Sequence, residues 1–255
     1  MSKFATAVAL IGALFAGNAA AQSAKPTVVL VHGAFADSSS WNGVIQILEK
    51  DGYSVVAAAN PLRSVSSDAA YVSNLVTSIE GPVVLVGHSY GGQVISNAAR
   101  GHENVKSLVY VAAFAPEAGE AAADLAGKFP GGTLGEALAP PVKLPDGGVD
   151  LYIDKAKFHQ QFAHDVPSEQ AALMAAGQRP IAEAALTEKS GEPAWKTLPS
   201  WFIYGDGDKN IPAKALGFMA ERAGSKHTVV VKGASHVVMT SKPQVVAELI
   251  EEAAR

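Results

Sequence analysis

The chain has 255 residues, 48% of them hydrophobic and 17% charged, with a formal net charge of −4. That balance suits one globular domain with a substantial core and excludes a disordered or fibrous polymer, while the lack of any Lys/Arg-rich run removes the electrostatic footprint of a nucleic-acid or anionic-membrane binder. There are no cysteines, so thiol nucleophiles, disulfides and thiolate metal sites are excluded together.

The first 21 residues read as a cleavable secretory leader: Lys3 supplies positive charge, Phe4 through Ala16 is almost wholly apolar, and Ala19-Ala20-Ala21 forms a small-x-small cleavage site. The mature chain is expected to start near Gln22, in the periplasm or the medium. A membrane anchor is the alternative, but it needs roughly 20 apolar residues and this run is shorter. After cleavage no stable membrane insertion is expected, and the partner is a small molecule rather than nucleic acid or lipid.

Beyond the leader, short runs rich in Val, Ile and Leu predict six buried parallel strands at 27–31, 53–57, 83–86, 107–111, 200–204 and 228–231. Between them, 41–50, 68–79, 93–100, 213–223 and 244–254 carry apolar residues at three- and four-residue intervals and are expected to pack on the sheet as helices. The fold class is α/β, a doubly wound and mainly parallel sheet. The rhythm breaks between Ala115 and Pro199, where Pro, Gly, Ala and polar residues dominate. This interval, about 116–198, reads as an inserted helical cap, with helices at 155–164 and 168–176 and Ser168 as an N-cap. Such an insertion at the carboxyl ends of the strands would roof the ligand site.

Val83-Val84-Leu85-Val86 runs straight into Gly87-His88-Ser89-Tyr90-Gly91-Gly92 and then a helical pattern. Strand, sharp turn and helix are the setting in which G-x-S-x-G marks a nucleophile, because a serine at the strained tip needs neighbours without side chains at Gly87 and Gly91. A hydroxyl at neutral pH needs a base, and the base needs a carboxylate to fix its tautomer. In chain order these follow later strands. Gly205-Asp206-Gly207-Asp208 comes after the fifth run and Gly233-Ala234-Ser235-His236 after the sixth, so Asp208 is read as the acid, with Asp206 the near alternative, and His236 as the base. The oxyanion formed on attack needs backbone donors: Tyr90 N–H at a helix N-terminus, and one from His32-Gly33-Ala34-Phe35, where Ala34 is chosen and Phe35 stands second.

The remaining histidines take plainer readings. His32 and His88 are expected to support or line the site, and His102 and His227 to be solvated. His159 and His164, five apart in the cap, do not share a helical face, so no metal site is expected, though they could line the pocket. Trp41 reads as core, and Trp195 and Trp201 straddle the return from cap to sheet. Phe114, Phe158, Phe162, Leu173 and Met174 are expected to fill the substrate pocket. Alanine-rich cap helices suggest that it is modest and takes a short or compact acyl group.

At His32-Gly33-Ala34, Gly87-His88-Ser89-Tyr90-Gly91-Gly92, the run from Leu108 to Pro116 and Gly233-Ala234-Ser235-His236, the chain resembles the α/β-hydrolase superfamily. More narrowly it resembles the branch holding plant methylesterases and hydroxynitrile lyases, over almost all of residues 22–255. The resemblance implies a Ser89-Asp208-His236 triad, Ala34 and Tyr90 as oxyanion donors, no cofactor, a helical cap and cleavage of esters of small acids. The lyases carry a threonine at the position of Gly33 and a lysine at that of Val237. Without that cation near a departing cyanide, the ester-hydrolase reading gains. Two others stand beside it: acyl transfer to peroxide of the perhydrolase or haloperoxidase type, which needs no new residue, and a non-catalytic ligand-binding scaffold.

Overall fold

The computed structural model describes residues 25–255, and the leader read over residues 1–21 lies outside the described residues. The strands in chain order are β1 (Thr27–Val31), β2 (Val55–Ala58), β3 (Val83–His88), β4 (Val105–Val111), β5 (Val142–Lys143), β6 (Val149–Leu151), β7 (Ile181–Ala182), β8 (Ser200–Gly205) and β9 (His227–Val231). Six of them form the expected sheet, ordered β2-β1-β3-β4-β8-β9 and parallel throughout. Its centre lies at β1, β3 and β4, whose Val and Leu side chains are buried on both faces, as parallel strands covered by helices must be. At the edge, β9 is half-exposed, with Val230 open to solvent.

The helices are α1 (Asn42–Lys50), α2 (Val65–Thr77), α3 (Tyr90–Ala98), α4 (Ala122–Ala126), α5 (Leu134–Ala137), α6 (Lys155–Phe162), α7 (Ser168–Gly177), α8 (Glu183–Thr187), α9 (Ala213–Arg222), α10 (Val238–Ser241) and α11 (Pro243–Ala253). They cover both faces of the sheet, as β4 demonstrates. Ser107 Oγ donates to the Ala253 carbonyl at the end of α11 over 2.7 Å, whereas the Tyr110 hydroxyl lies 2.8 Å from Ser96 Oγ of α3. Side chains three apart on a strand point to opposite faces.

Two helices begin earlier than their apolar pattern indicates. Extended Ser64 accepts the Ser67 N–H and starts α2 three residues ahead of Asp68, and α3 starts at Tyr90, where Gly91 and Gly92 dilute the pattern.

Residues 116–198 hold more than helices. An antiparallel sheet ordered β5-β6-β7 lies among α4 to α8. Its strands are too short for a period-two pattern to register, and only Pro145-Asp146-Gly147 marks the β5–β6 turn, in which Gly147 has φ 87° and Leu144 N–H donates to Gly148. Ser168 is the first residue of α7 and caps nothing with its side chain, because extended Pro167 precedes it; the capping carboxylate in this region is Asp154, which accepts Ala156 N–H at the start of α6. The cap is latched to the core through the 60–65 loop. Arg63 Nη1 pairs with Asp150 of β6 at 2.6 Å and Nη2 donates to the Pro180 carbonyl at 3.0 Å, while Ala182 N–H donates to the Leu62 carbonyl.

Candidate active site

Ser89 stands between β3 and α3 with φ 53° and ψ −123°, in a left-handed region that costs a non-glycine residue on the order of 1–3 kcal/mol. Close packing on every side holds it there. A Cβ on Gly87 would lie 2.6 Å from the Gly91 carbonyl oxygen, and one on Gly91 or Gly92 would collide with the carbonyl oxygens of Val31 or Phe114. Gly33 has a related role: a Cβ there would come 2.6 Å from Ser89 Cβ and 2.7 Å from the His88 carbonyl oxygen.

Asp208 and His236 follow β8 and β9, at the same carboxyl end of the sheet as Ser89. Asp208 Oδ1 accepts the N–H groups of Asn210 at 2.7 Å and Ile211 at 3.0 Å, which fixes the carboxylate, and Oδ2 accepts the Nδ1–H of His236 at 2.6 Å. The two side chains are 0% and 1% exposed, so no solvent competes for this bond. It holds the neutral imidazole as the Nδ1–H tautomer and leaves Nε2 as the basic nitrogen. Asp206 is exposed and instead accepts Gly233 N–H.

His236 is set against the Ser89 turn through His88. The His88 Nε2–H donates to the His236 carbonyl at 3.1 Å, and the two rings stand 4.8 Å apart. The Asp208–His236 bond is formed, whereas Ser89 Oγ makes no hydrogen bond among the described residues. Such a bond commonly tightens only once substrate is bound.

The candidate oxyanion donors separate by what they already bond. Phe35, at φ 60°, donates its N–H to the Arg179 carbonyl of the cap at 3.0 Å. The N–H groups of Ala34 and Tyr90 have no acceptor among the described residues, and Tyr90 opens α3, where the helix dipole favours negative charge.

Burial keeps His32 and His88 neutral: it lowers His32 to about 4, and it holds His88 well below the usual histidine range, helped by the neighbouring His236. Both act as props, His32 Nδ1–H donating to the Gly33 carbonyl at 2.9 Å. His159 and His164 donate to the carbonyls of Val166 and Gly207; neither lines the cavity at Ser89 or the cleft beyond it, and His164 ties the cap to the Asp208 loop. His102 and His227 also have partners, Ser73 and Glu252.

Asp68 is the site-supporting residue that periodicity does not reveal. Fully buried on α2, it accepts the Tyr90 hydroxyl at 3.0 Å and the Arg63 N–H, and burial raises its pKa above the ordinary aspartate value. It anchors Tyr90, the residue that follows Ser89. Its side chain interrupts the apolar face of a helix, which is the one trace it leaves in the sequence.

A small cavity of about 70 Å³ opens on Ser89, walled by Ala34, Tyr90, Phe114, Leu186 and Asn210. Beyond Phe35, which lines both, lies a wider cleft of about 220 Å³ that includes Leu173, Met174 and Thr240. Of the expected pocket residues, Phe114 thus lines the inner cavity and Leu173 and Met174 the outer cleft. Phe158 and Phe162 line neither: both are fully buried, and Phe162 packs against His236 with ring centres 5.2 Å apart.

Comparison with known proteins agrees with this architecture. The pattern defining the Alpha/beta hydrolase family matches residues 28–249. An alpha-hydroxynitrile lyase of Arabidopsis thaliana is 25% identical over 242 residues, covering 86% of this chain and 93% of its own. A pimeloyl-[acyl-carrier protein] methyl ester esterase of Aeromonas hydrophila is 28% identical over 243 residues, covering 89% of this chain and 94% of its own. In structure, the crystal form of polyneuridine aldehyde esterase superposes with a TM-score of 0.77 over 91% of this chain and all of that one, at 20% identity, a likeness of fold.

Proposed function

The chain belongs to the alpha/beta hydrolase family, and we propose that it is a serine hydrolase that cleaves carboxylic esters of small or compact acids through an acyl-enzyme. The observation that carries this reading is the buried 2.6 Å bond between Asp208 and His236, formed at the rim where Ser89 is held in a strained turn. Ser89 Oγ attacks the ester carbonyl while His236 Nε2 takes its proton, and Asp208 steadies the imidazolium. The N–H groups of Ala34 and Tyr90 receive the oxyanion, each such donor contributing about 3 kcal/mol of transition-state stabilisation. Collapse expels the alcohol, protonated by His236, and water repeats the sequence on the acyl-enzyme.

The leaving alcohol must lie beside His236 to be protonated, and His236 does not line the inner cavity, so the acyl group occupies that cavity. Its small volume supports short acyl chains. The esterases among the relatives agree with ester cleavage, and buried Val237, directly after His236, offers no cation to a departing cyanide.

The test is a panel of p-nitrophenyl esters from acetate to palmitate, run beside Ser89→Ala. Short esters are expected to be preferred, with kcat reduced by orders of magnitude in the variant. A preference for the longest chains would overturn the acyl assignment, and equal labelling of both proteins by a fluorophosphonate would overturn Ser89 as nucleophile.

A further inference from the structure

The wall of the inner cavity is apolar except at two side chains. One is Ser89; the other is Asn210, two residues beyond Asp208 and 95% buried, being 5% exposed. The Tyr90 hydroxyl does not count, since it is bound to Asp68. Asn210 takes no part in the triad or the oxyanion hole, yet three residues around it fix the direction of its carboxamide.

The chain of bonds is unambiguous. Gln161 Nε2 lies 2.9 Å from the Lys209 carbonyl, which only accepts, so this atom is the donor end of the glutamine; its Oε1 end accepts from Thr133 Oγ1 at 2.9 Å. The same Nε2 is 2.8 Å from Asn210 Oδ1 and donates to it. With the oxygen committed to the cap, the Asn210 Nδ2 amide is left over, and it has no acceptor among the described residues. Backbone geometry holds the residue equally firmly, because Asn210 N–H bonds Asp208 Oδ1 at 2.7 Å. Beside an otherwise apolar wall, an amide donor with no protein acceptor can bond an oxygen brought in by a ligand.

We propose that Asn210 is a specificity-determining residue, whose Nδ2–H donates to an oxygen acceptor (an ether, hydroxyl or keto oxygen) on the acyl chain of the substrate. The inference rests on the esterase reading for the statement that the acyl group occupies this cavity. The preferred esters are then those of short oxygen-bearing acids rather than plain alkanoates. A wall built to hydrogen-bond a substrate oxygen discriminates strongly against the analogue that has a methylene there, because its own donor then stays bare.

The matched pair p-nitrophenyl methoxyacetate and p-nitrophenyl butanoate, which differ by one oxygen in place of one methylene, tests this. The readout is the ratio of their kcat/KM values in the wild type divided by the same ratio in Asn210→Leu. Intrinsic ester reactivity and any general disturbance of the neighbouring Asp208 cancel in that quotient. It is expected to be about 10-fold in favour of the oxygen-bearing ester. Asn210→Ala, which deletes the donor without adding bulk, is run beside it and should shift the ratio in the same direction.

Binding of the free acids methoxyacetate and butanoate, measured by calorimetry on the same three proteins, gives a readout independent of turnover. A ratio unchanged by both substitutions, in turnover and in binding, would overturn the role of Asn210. Selective binding of methoxyacetate that depends on Asn210, with neither ester turned over above Ser89→Ala, would uphold that role and overturn the esterase reading.

Discussion

Asp206 and Asp208 stand two residues apart on one turn and have opposite surroundings. Asp208 is buried, bonded by two backbone N–H groups and by His236, while Asp206 is exposed and holds only Gly233. Replacing Asp208 with Asn keeps the shape but presents an amide that favours the wrong imidazole tautomer, and kcat is expected to fall about 10³- to 10⁴-fold. Asp206→Asn retains an oxygen for Gly233 N–H and should change the barrier by about 0.5 kcal/mol or less. Parallel kcat measurements on a short ester distinguish the two, and equal losses would show that the whole turn, rather than one carboxylate, orients the base.

At the level of elements, one attachment of the cap is to the 60–65 loop, through the Ala182–Leu62 backbone bond and Arg63. The guanidinium reaches Asp150 of β6, the Pro180 carbonyl and the Pro61 carbonyl, thereby tying the antiparallel cap sheet to the start of α2. Its side chain is 40% exposed, so the pair with Asp150 is screened, and Arg63→Met is expected to cost about 1 kcal/mol of stability rather than the larger figure of a buried pair. The local effect exceeds the global one. Amide hydrogen exchange in 142–151 and 179–182 should accelerate while the central strands β1, β3 and β4 keep their protection; uniform acceleration would mean that the cap has no separate stability.

For the whole molecule, two buried neutral histidines contribute to how stability responds to acid. The folded pKa of His32 is about 4 and that of His88 is also depressed, both below the ordinary 6.5, so the unfolded chain binds protons that the native state refuses. Stability contributed by keeping these rings neutral is fully present above pH 6.5 and is lost as pH falls from there toward the folded values. While the unfolded ring is protonated and the native one is not, each contributes a slope of about 1.4 kcal/mol per pH unit. Urea midpoints between pH 7 and pH 4.5 should therefore drop, and His32→Gln should shallow that drop by one histidine's share. An unaltered slope would place the loss in other groups.

Much of the fold and of the site is readable along the chain because the signals are local. Val83 to Gly92 carries strand, turn and helix within ten positions, and the tight turn at Ser89 needs its glycines whatever the rest of the molecule does. The six-stranded sheet follows from apolar runs that must be buried on both faces, and Asp208 and His236 follow from loops at the carboxyl ends of such runs. Residues far apart in sequence but touching in space leave no such periodicity. The tertiary structure alone decides that Asp208 rather than Asp206 meets the imidazole, that the Phe35 N–H is taken by Arg179, that Asp68 anchors Tyr90, that Gln161 bonds the Asn210 carboxamide oxygen, and that a three-stranded sheet lies in the cap. Each is a directional hydrogen bond or a strand pairing set by where the packed elements bring two groups within about 3 Å, and one-dimensional patterning records burial but not partners.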